Sequence, residues 1–505
     1  MDSFHHLFLG FSVAITPLNL FSCFMGVLIG TLIGVLPGIG PVATMAILLP
    51  FTFSLAPSSA IIMLAGIYYG SQYGGSTTSI LVNIPGEVGS IITCLDGYQM
   101  ARQGRAGPAL GISAIGSFVG GTLGVIGLML LVPPLAKLAL GFGPPELFAL
   151  ILFGLMMVSS LGGDSLLKAL MMAAVGMFVS LIGKESFSGF SRFTLGSITL
   201  SDGVGLVPVA MGMFGIAEIL TNVEAMAKQE VFKTDIRSLF AWKEWLACRW
   251  ALLRGTGVGF FVGVLPGAGV VMTSFFSYWL EKRLSKHPEK FGTGVIEGVA
   301  GPETANNAST AGSMIPLLAL GVPANPTMAM LLGAFIIQGI QPGPFFISQY
   351  PNLFWGIIAS MYIGNIMLLV LNLPLISMWV KILKIPYALL FPLIILFCIV
   401  GVYSLNNNVY EIFIMILFGF FGYILEKLDY PLAPFLLAMV LGPMMETSFR
   451  QSMGIGQGNP AIFFERTFSA VLMGSVIILL VVTSFLAVRK KRKPPSSEQR
   501  SSCPG

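Results

Sequence analysis

Charged residues are scarce in this chain of 505 residues: only 10% are Asp, Glu, Lys or Arg, whereas 55% are hydrophobic. A soluble domain carries about 25% charged residues, so this composition excludes an ordinary soluble protein. Apolar stretches long enough to cross a bilayer recur along the chain, for example 112–132, 353–380 and 470–488. The sequence therefore predicts an all-α polytopic membrane protein with about 11–13 membrane segments, some of them interrupted.

Histidine and cysteine are also rare, with 3 and 5 residues, and the cysteines form no CxxC pair. An intramembrane enzyme would need a nucleophile–base pair or a set of metal ligands within the membrane, and the sequence contains neither pattern. We therefore expect no enzymatic activity, no cofactor and no transition metal. The net charge of +5 reflects basic loops and gives no indication of nucleic acid as a partner. No basic residue precedes the first apolar run, which favours a retained membrane anchor over a cleaved signal peptide.

One motif occurs twice. The string Gly34-Val-Leu-Pro37-Gly38-Ile-Gly40, preceded by glycines at four-residue spacing, returns 229 residues later as Gly263-Val-Leu-Pro266-Gly267-Ala-Gly269. The spaced glycines predict close packing between helices, and Leu-Pro-Gly interrupts a helix. We expect Pro37-Gly38 and Pro266-Gly267 at the tips of helical hairpins; a simple kink in two spanning helices is the alternative. A duplicated apolar unit with such a break indicates a secondary transporter.

Basic residues concentrate in four stretches, which the positive-inside rule predicts to be cytoplasmic. The corresponding loops of the other half carry few charges, so the two halves are predicted to be inverted-topology repeats with broken helices or hairpins. The predicted organisation is a first membrane repeat (1–221), a basic cytoplasmic connector (222–249), a second repeat with scaffold helices (250–488) and a disordered cytoplasmic tail (489–505). The four stretches contain Arg102 and Arg105; Lys228 to Arg249; Lys282 to Lys290; and Arg489 to Lys493.

A polar island follows each copy of the motif, with Ser, Thr or Asn residues ahead of a short apolar stretch and a Pro-containing break. We expect each island to begin a half-helix whose free N–H groups bind a carboxylate, and whose oxygen atoms suit Na⁺. Bonding to their own helix backbone is the alternative role for the hydroxyls. Glu303 is the candidate coupling acid. The candidate binding residues are Ser76, Thr77, Thr78, Asn83 and Gly86 in the first island and Asn306, Asn307, Ser309, Thr310 and Asn325 in the second.

These islands resemble the large membrane subunit of the tripartite tricarboxylate transporters, the TctA family. The likeness is carried by Tyr73-Gly-Gly-Ser76-Thr77-Thr78-Ser79, by the string from Asp96 to Gly107, and by Pro302-Glu303-Thr-Ala-Asn306-Asn307, and it covers nearly the whole chain. The resemblance implies a Na⁺- or H⁺-coupled importer of di- or tricarboxylates in a bacterial inner membrane. It also implies two partners, a small membrane subunit and a periplasmic solute-binding protein.

The mechanism we expect places the substrate between the two repeats, held by helix starts at Ser76-Thr77 and Asn307-Ser309. A cation offsets its charge, and one repeat-derived unit moves against a lipid-embedded scaffold, by an elevator or a rocking movement. Two alternatives stay open: a carboxylate symporter that needs no binding protein, and a passive channel.

Overall fold

The computed structural model describes residues 2–36, 40–161, 165–185, 189–224, 239, 241–267, 269–383 and 387–492, which are almost entirely helical. The first half contains α1 (Asp2–Ala14), α2 (Pro17–Val35), α3 (Pro41–Leu48), α4 (Pro57–Val82), α5 (Thr93–Arg102), α6 (Ala106–Ala139), α7 (Pro144–Leu161), α8 (Leu166–Ser180), α9 (Leu206–Ala210) and α10 (Ala217–Glu224). The second half contains α11 (Trp242–Ala247), α12 (Arg249–Val264), α13 (Gly269–Leu284), α14 (Glu297–Leu320), α15 (Pro326–Ile337), α16 (Phe346–Gln349), α17 (Pro351–Asn372), α18 (Ile376–Ile382), α19 (Tyr387–Asn406), α20 (Val409–Lys427), α21 (Leu432–Ile455), α22 (Ile462–Glu465) and α23 (Thr467–Arg492). A π-helical segment (Met211–Ile216) joins α9 to α10, four 3₁₀ turns span Leu49–Ser54, Val88–Ile91, Thr199–Asp202 and Pro288–Lys290, and β1 (Gly183–Lys184) pairs with β2 (Ser191–Arg192).

Five of the described helices are long and apolar enough to cross a membrane: α2, α6, α17, α20 and α21. Seven further apolar segments are shorter, with 10–17 residues. The chain is therefore a multi-pass, nearly all-α membrane protein. Its five long apolar helices alone are fewer than the roughly 11–13 predicted membrane segments. The helix α23 continues to Arg492, so the predicted tail begins within a helix, and residues 493–505 lie outside the described part of the chain.

The spaced glycines bring two pairs of helices into backbone contact. A Cβ atom on Gly26 of α2 would lie 2.3 Å from the carbonyl oxygen of Met63 on α4. A Cβ atom on Gly259 of α12 would lie 2.1 Å from the carbonyl oxygen of Ala305 on α14. Only glycine fits such contacts, so the packing role predicted from the spacing is confirmed. The contacts hold α4 and α14, which carry both polar islands, against α2 and α12.

Helices α12 and α13 lie antiparallel to each other. Arg254 on α12 donates two hydrogen bonds to the carboxylate of Glu281 on α13, at 2.8 and 2.5 Å. The turn between the helices contains Pro266 and Gly267, and the φ angle of Gly267 is +85°, a conformation that favours glycine. The corresponding pair Pro37-Gly38 lies outside the described residues.

Three of the four basic stretches meet at one end of the molecule. Arg105 forms a 2.5 Å ion pair with Glu244 and donates a hydrogen bond to the carbonyl oxygen of Gly294. Gln103 donates to the carbonyl oxygen of Thr293 at 2.6 Å. We call this the basic end; its cationic residues are Arg102, Arg105, Lys243, Arg249, Lys282, Arg283, Lys286 and Lys290.

Helices α4 and α14 end in the same way. Asn83 follows α4 with a φ of 61°, and Gly321 follows α14 with a φ of 74°, so both adopt the left-handed conformation. A proline follows two residues later in each case, at Pro85 and Pro323, and prevents the helix from resuming. A new short helical segment then begins, at Val88 in the first half and as α15 in the second.

Candidate functional site

Glu303 connects helices from both halves of the chain. It lies in the second turn of α14 and is fully buried. Its carboxylate accepts hydrogen bonds from the hydroxyl groups of Ser76 on α4 and Thr93 on α5. The hydroxyl of Ser113 on α6 lies near the same carboxylate. The structure thus brings together two predicted site residues, Ser76 and Glu303, and adds Thr93 and Ser113, which the sequence did not single out.

A second buried carboxylate, that of Glu87, lies in the same network. It accepts hydrogen bonds from the backbone N–H of Gly89 at 2.7 Å and from the side-chain amide of Asn306 at 3.0 Å. With its amide nitrogen facing these acceptors, Gln72 donates to Asn306 at 2.7 Å and to Glu87 at 2.9 Å. Asn306 stands one helical turn after Glu303, which places the two carboxylates side by side. Glu87 was not among the predicted site residues, although its position directly after Pro85-Gly86 could have indicated it.

Glu87 and Glu303 are held only by neutral donors. In the part of the chain that the structure describes, neither carboxylate forms an ion pair with Lys, Arg or His. Some other acids differ: Glu146, for example, pairs with Arg466 at 2.9 Å. An ionised carboxylate buried within a membrane protein is costly unless a proton or a cation neutralises it. The network is therefore chemically suited to bind and release such a positive charge.

Several predicted hydroxyl residues bond to helix backbone instead of facing a ligand. Ser309 and Thr310 each donate to the carbonyl oxygen three residues earlier, at 2.7 Å. Thr78 donates at 2.8 Å to the carbonyl oxygen of Val35, the last residue of α2. These bonds satisfy backbone acceptors, including one at a helix end, in the way usual for Ser and Thr in helices.

The other two predicted asparagines of the second half, Asn307 and Asn325, link different elements. Asn307 donates to the hydroxyl of Ser117 on α6 at 2.7 Å. Asn325 caps the N-terminus of α15, where its side-chain oxygen accepts from the backbone N–H of Met328 at 2.9 Å. The amide nitrogen of Asn325 donates to the hydroxyl of Tyr68 on α4 at 3.1 Å. Asn325 therefore joins a helix start to the middle of α4.

Two predicted glycines make close backbone contacts. A Cβ atom on Gly86 would lie 1.9 Å from the carbonyl oxygen of Gly34 and 2.7 Å from the Cα atom of Gly75. The backbone N–H of Gly267 donates to the carbonyl oxygen of Ala324 at 2.8 Å. The turn between α12 and α13 thus touches the Pro-containing break that leads into α15.

The predicted helix starts at Ser76-Thr77 and Asn307-Ser309 are wrong. Ser76 and Thr77 lie in the last two turns of α4, and Asn307 and Ser309 lie in the middle of α14. Helix α4 passes through Gly74 and Gly75 without a break, and both glycines allow close packing, Gly74 against α2 and Gly75 against Glu87. The short helices begin after the Pro-containing breaks, and not before them.

Asp96, which sequence reasoning did not select as a site residue, anchors the loop that leads into α14. Its fully buried carboxylate accepts hydrogen bonds from the hydroxyl of Tyr278 at 2.8 Å and from the backbone N–H groups of Gly292, Gly294 and Val295 at 2.7–3.0 Å. Since Asp96 lies on α5, it fixes the first half against the second at the basic end. Asp96 begins one of the strings that carry the resemblance to the TctA family, and this position could have indicated it.

Replacing Asp96 with Asn should lower the melting temperature of the purified protein by several degrees. The amide cannot accept all of these bonds, and hydrogen bonds to a charged group contribute about 1.5–3 kcal/mol each. Thermal unfolding in detergent measures the effect, with Asp202→Asn in an exposed 3₁₀ turn as the control. Equal melting temperatures for the two variants would contradict the anchoring role.

An open cavity of about 730 Å³ lies away from this network, towards the end of α15 opposite to its Asn325 cap. Arg192, in its wall, pairs with Glu185 at 2.8 Å and with Glu446 at 2.9 Å, and the hydrogen bond that Arg192 donates to Glu446 raises the pKa of the Arg192 guanidinium above its ordinary value. None of the predicted binding residues lines the cavity. Its charged lining residues are Lys184, Glu185, Arg192, Asp202, Glu411 and Glu446.

Apolar helices that enclose a buried polar network of unpaired carboxylates define a membrane transport protein. The family described as "Tripartite tricarboxylate transporter TctA family" matches residues 20–437. This chain belongs to that family, so the resemblance in the sequence is confirmed. The family consists of transporters, in agreement with a protein that is not an enzyme.

Two relatives come from Agrobacterium vitis. One, an uncharacterized 52.8 kDa protein in the TAR-I ttuC' 3' region, is 50% identical over 474 residues, which cover 94% of each chain. The other, an uncharacterized protein in the TAR-II ttuC' 3' region, is 54% identical over 216 residues, which cover 43% of this chain and 89% of that protein. No solved structure matches the chain.

Proposed function

We propose that this chain is the membrane permease subunit of a cation-coupled secondary transporter that imports a di- or tricarboxylate. A periplasmic solute-binding protein delivers the substrate, and a small membrane subunit completes the complex in the bacterial inner membrane. Membership of the tripartite tricarboxylate transporter family supports the substrate class and both partners. The excess of Lys and Arg supports a cytoplasmic location for the basic end and the C-terminus.

The observation that carries the proposal is the pair of buried carboxylates of Glu87 and Glu303. Both are supported by hydroxyl or amide donors, and neither forms an ion pair within the described residues. Burying a multiply charged anion within a membrane protein is costly unless positive charge accompanies it. In the proposal these carboxylates bind Na⁺ or H⁺ in step with the substrate, and Ser76 and Asn306 hold them in place.

The substrate is proposed to bind near the start of α15. The helix N-terminus favours a carboxylate electrostatically, and Asn325 and the turn at Gly267 both contact this segment. This proposed site replaces the predicted one at Ser76-Thr77 and Asn307-Ser309, because those residues lie within helices and not at helix starts. Thr78, Asn83 and Gly86 then have structural roles, in a backbone hydrogen bond, a helix end and a close backbone contact.

We further propose that the two halves are inverted repeats and that one moves against the other. The duplicated Leu-Pro-Gly motif, the antiparallel pair α12 and α13, and the matching ends of α4 and α14 support the repeat. The opposite charge bias of the corresponding loops supports the inversion. Helices α17 and α23, long and apolar, serve as scaffold.

Uptake of a labelled carboxylate panel, citrate included, into proteoliposomes tests the role of the partners. The vesicles contain this chain and the small membrane subunit, with or without the binding protein, under an inward Na⁺ or H⁺ gradient. We expect gradient-driven uptake only when the binding protein is present. Ser76→Ala and Asn307→Ala should reduce it, whereas Ser360→Ala, a buried serine bonded to its own helix, should not.

The alternatives give different results in the same assay. Gradient-driven uptake that does not need the binding protein would identify a stand-alone symporter and overturn the tripartite proposal. Flux that is independent of any cation gradient would identify a passive channel and overturn the coupled mechanism.

A further inference from the structure

A second, much smaller cavity lies beside Glu303. Its volume is about 10 Å³, which is about the space occupied by one water molecule. Four polar side chains line it, contributed by α4, α6 and α17: Tyr73, Thr77, Ser113 and Asn372. Because Ser113 also lies near the carboxylate of Glu303, this cavity adjoins the buried network described above.

One buried side-chain atom of a residue that lines the cavity lacks a partner. The amide nitrogen of Asn372 donates to the carbonyl oxygen of Leu368 at 2.9 Å, but the side-chain oxygen accepts no hydrogen bond in the described structure. Asn372 is only 4% exposed, so bulk water does not satisfy this oxygen. A buried acceptor without a partner is destabilising, and a ligand in the cavity would remove that cost.

The chemistry of the wall favours a positively charged ligand. Asn372 is the last residue of α17, and the C-terminal end of a helix carries partial negative charge. The unpartnered atom is an amide oxygen, and the hydroxyls of Thr77 and Ser113 offer further oxygen atoms. The carboxylate of Glu303 adds negative charge next to Ser113. Neutral oxygen ligands close to a carboxylate are suited to Na⁺ or to a hydrated proton and repel an anion.

The cavity lies towards the basic end. Helix α6 begins there, next to Arg105, and Ser113 follows the helix start by about 10 Å at 1.5 Å per residue. The C-terminus of α17 lies at the same level, because Asn372 and Ser113 share the cavity. A cation in this position stands between Glu303 and the side of the membrane that the proposed topology makes cytoplasmic.

We propose that this cavity binds a small monovalent cation, Na⁺ or hydronium, and exchanges it with Glu303 on the cytoplasmic side. The inference rests on the proposed cation coupling and assigns its exchange site. Asn372, Ser113 and Thr77 supply the oxygen ligands, and Glu303 supplies the charge. Tyr73 on α4 is the ionisable group among the lining residues, and Glu303 on α14 and Glu87 follow in the adjoining network.

Binding of ²²Na⁺ to the purified complex with its small membrane subunit tests the assignment without transport. We expect Asn372→Leu and Ser113→Ala to raise the Na⁺ concentration for half-saturation at least about tenfold. Asn372→Asp, which keeps the oxygen ligands, should bind at least as tightly as the unmodified protein. Ser360→Ala on the same helix α17 is the matched control and should stay within about twofold. Gel filtration identifies misfolded variants. If Asn372→Leu misfolds, ²²Na⁺ binding by Ser113→Ala and Thr77→Val tests the proposal instead.

Uptake driven by an inward proton gradient in Na⁺-free buffer forms the second arm. If hydronium is the ligand, ²²Na⁺ does not bind, and Asn372→Leu and Ser113→Ala reduce proton-driven uptake about tenfold at saturating carboxylate while Ser360→Ala does not. If the folded variants depend on Na⁺ and on protons in the same way as the unmodified protein, both in ²²Na⁺ binding and in proton-driven uptake, the proposed cation site is wrong. Carboxylate uptake that needs no cation would overturn the proposed function, whereas the ²²Na⁺ result would still decide for or against the cavity.

Discussion

Replacing Glu303 with Gln is expected to reduce gradient-driven carboxylate uptake by about 100-fold or more while the protein still folds. Glutamine has nearly the same shape and keeps an acceptor for the hydroxyls of Ser76 and Thr93. It cannot bind a proton and carries no charge for a cation, so only the coupling step is removed. Uptake into proteoliposomes under an inward cation gradient measures the loss.

Glu297→Gln provides the matched control, because Glu297 lies on the same helix and is only partly buried. This variant should transport at nearly the unmodified rate. Gradient-driven uptake by the Glu303→Gln variant at more than half of the unmodified rate would contradict a coupling role for Glu303. A variant that is absent from the membrane fraction would instead indicate a structural role, which gel filtration and membrane yield distinguish.

Replacing Gly259 with Ala is expected to prevent the close packing of α12 against α14. The added Cβ atom would lie 2.1 Å from the carbonyl oxygen of Ala305, and backbone cannot move aside as a flexible side chain can. The two helices must separate, and α14 carries Glu303, Asn306 and Asn307. We expect a melting temperature lower by several degrees, or no folded protein, since overpacking costs about 1–3 kcal/mol or more.

Gly257→Ala, on the same helix, is the control. Nothing lies within 4 Å of a Cβ atom at Gly257, so the alanine is accommodated and increases helix propensity by up to about 1 kcal/mol. Thermal unfolding of both variants in detergent makes the comparison. Similar melting temperatures for the two alanine variants would show that α12 and α14 do not touch through Gly259.

Local sequence patterns predicted the helix packing and some residues of the buried network, but not how those residues are arranged. Four-residue glycine spacing indicates a flat helix face, and Gly26 and Gly259 indeed lie against neighbouring backbone. Ser76 and Glu303 were identified because polar groups are conspicuous in an apolar chain. Their contact with each other depends on how α4 packs against α14, which no local pattern specifies.

The predicted helix starts failed for a definable reason. Ser, Thr and Gly before an apolar stretch have the composition of an N-cap, but the same residues also let helices approach closely. In α4 the glycines Gly74 and Gly75 serve packing, and the left-handed Asn83 ends the helix instead. Asn372 was missed because a single asparagine at a helix end is ordinary in sequence, and its unpartnered oxygen is visible only in three dimensions.

Accumulation of a labelled carboxylate against its own gradient tests the central claim most directly. Proteoliposomes that contain the complete complex would be preloaded with the carboxylate and then given an inward cation gradient in the presence of the binding protein. If transport is coupled to the cation, the carboxylate concentration inside the vesicles rises above the external one and falls back when an ionophore removes the gradient. An internal concentration that only equals the external one, with or without the gradient, would contradict coupled transport.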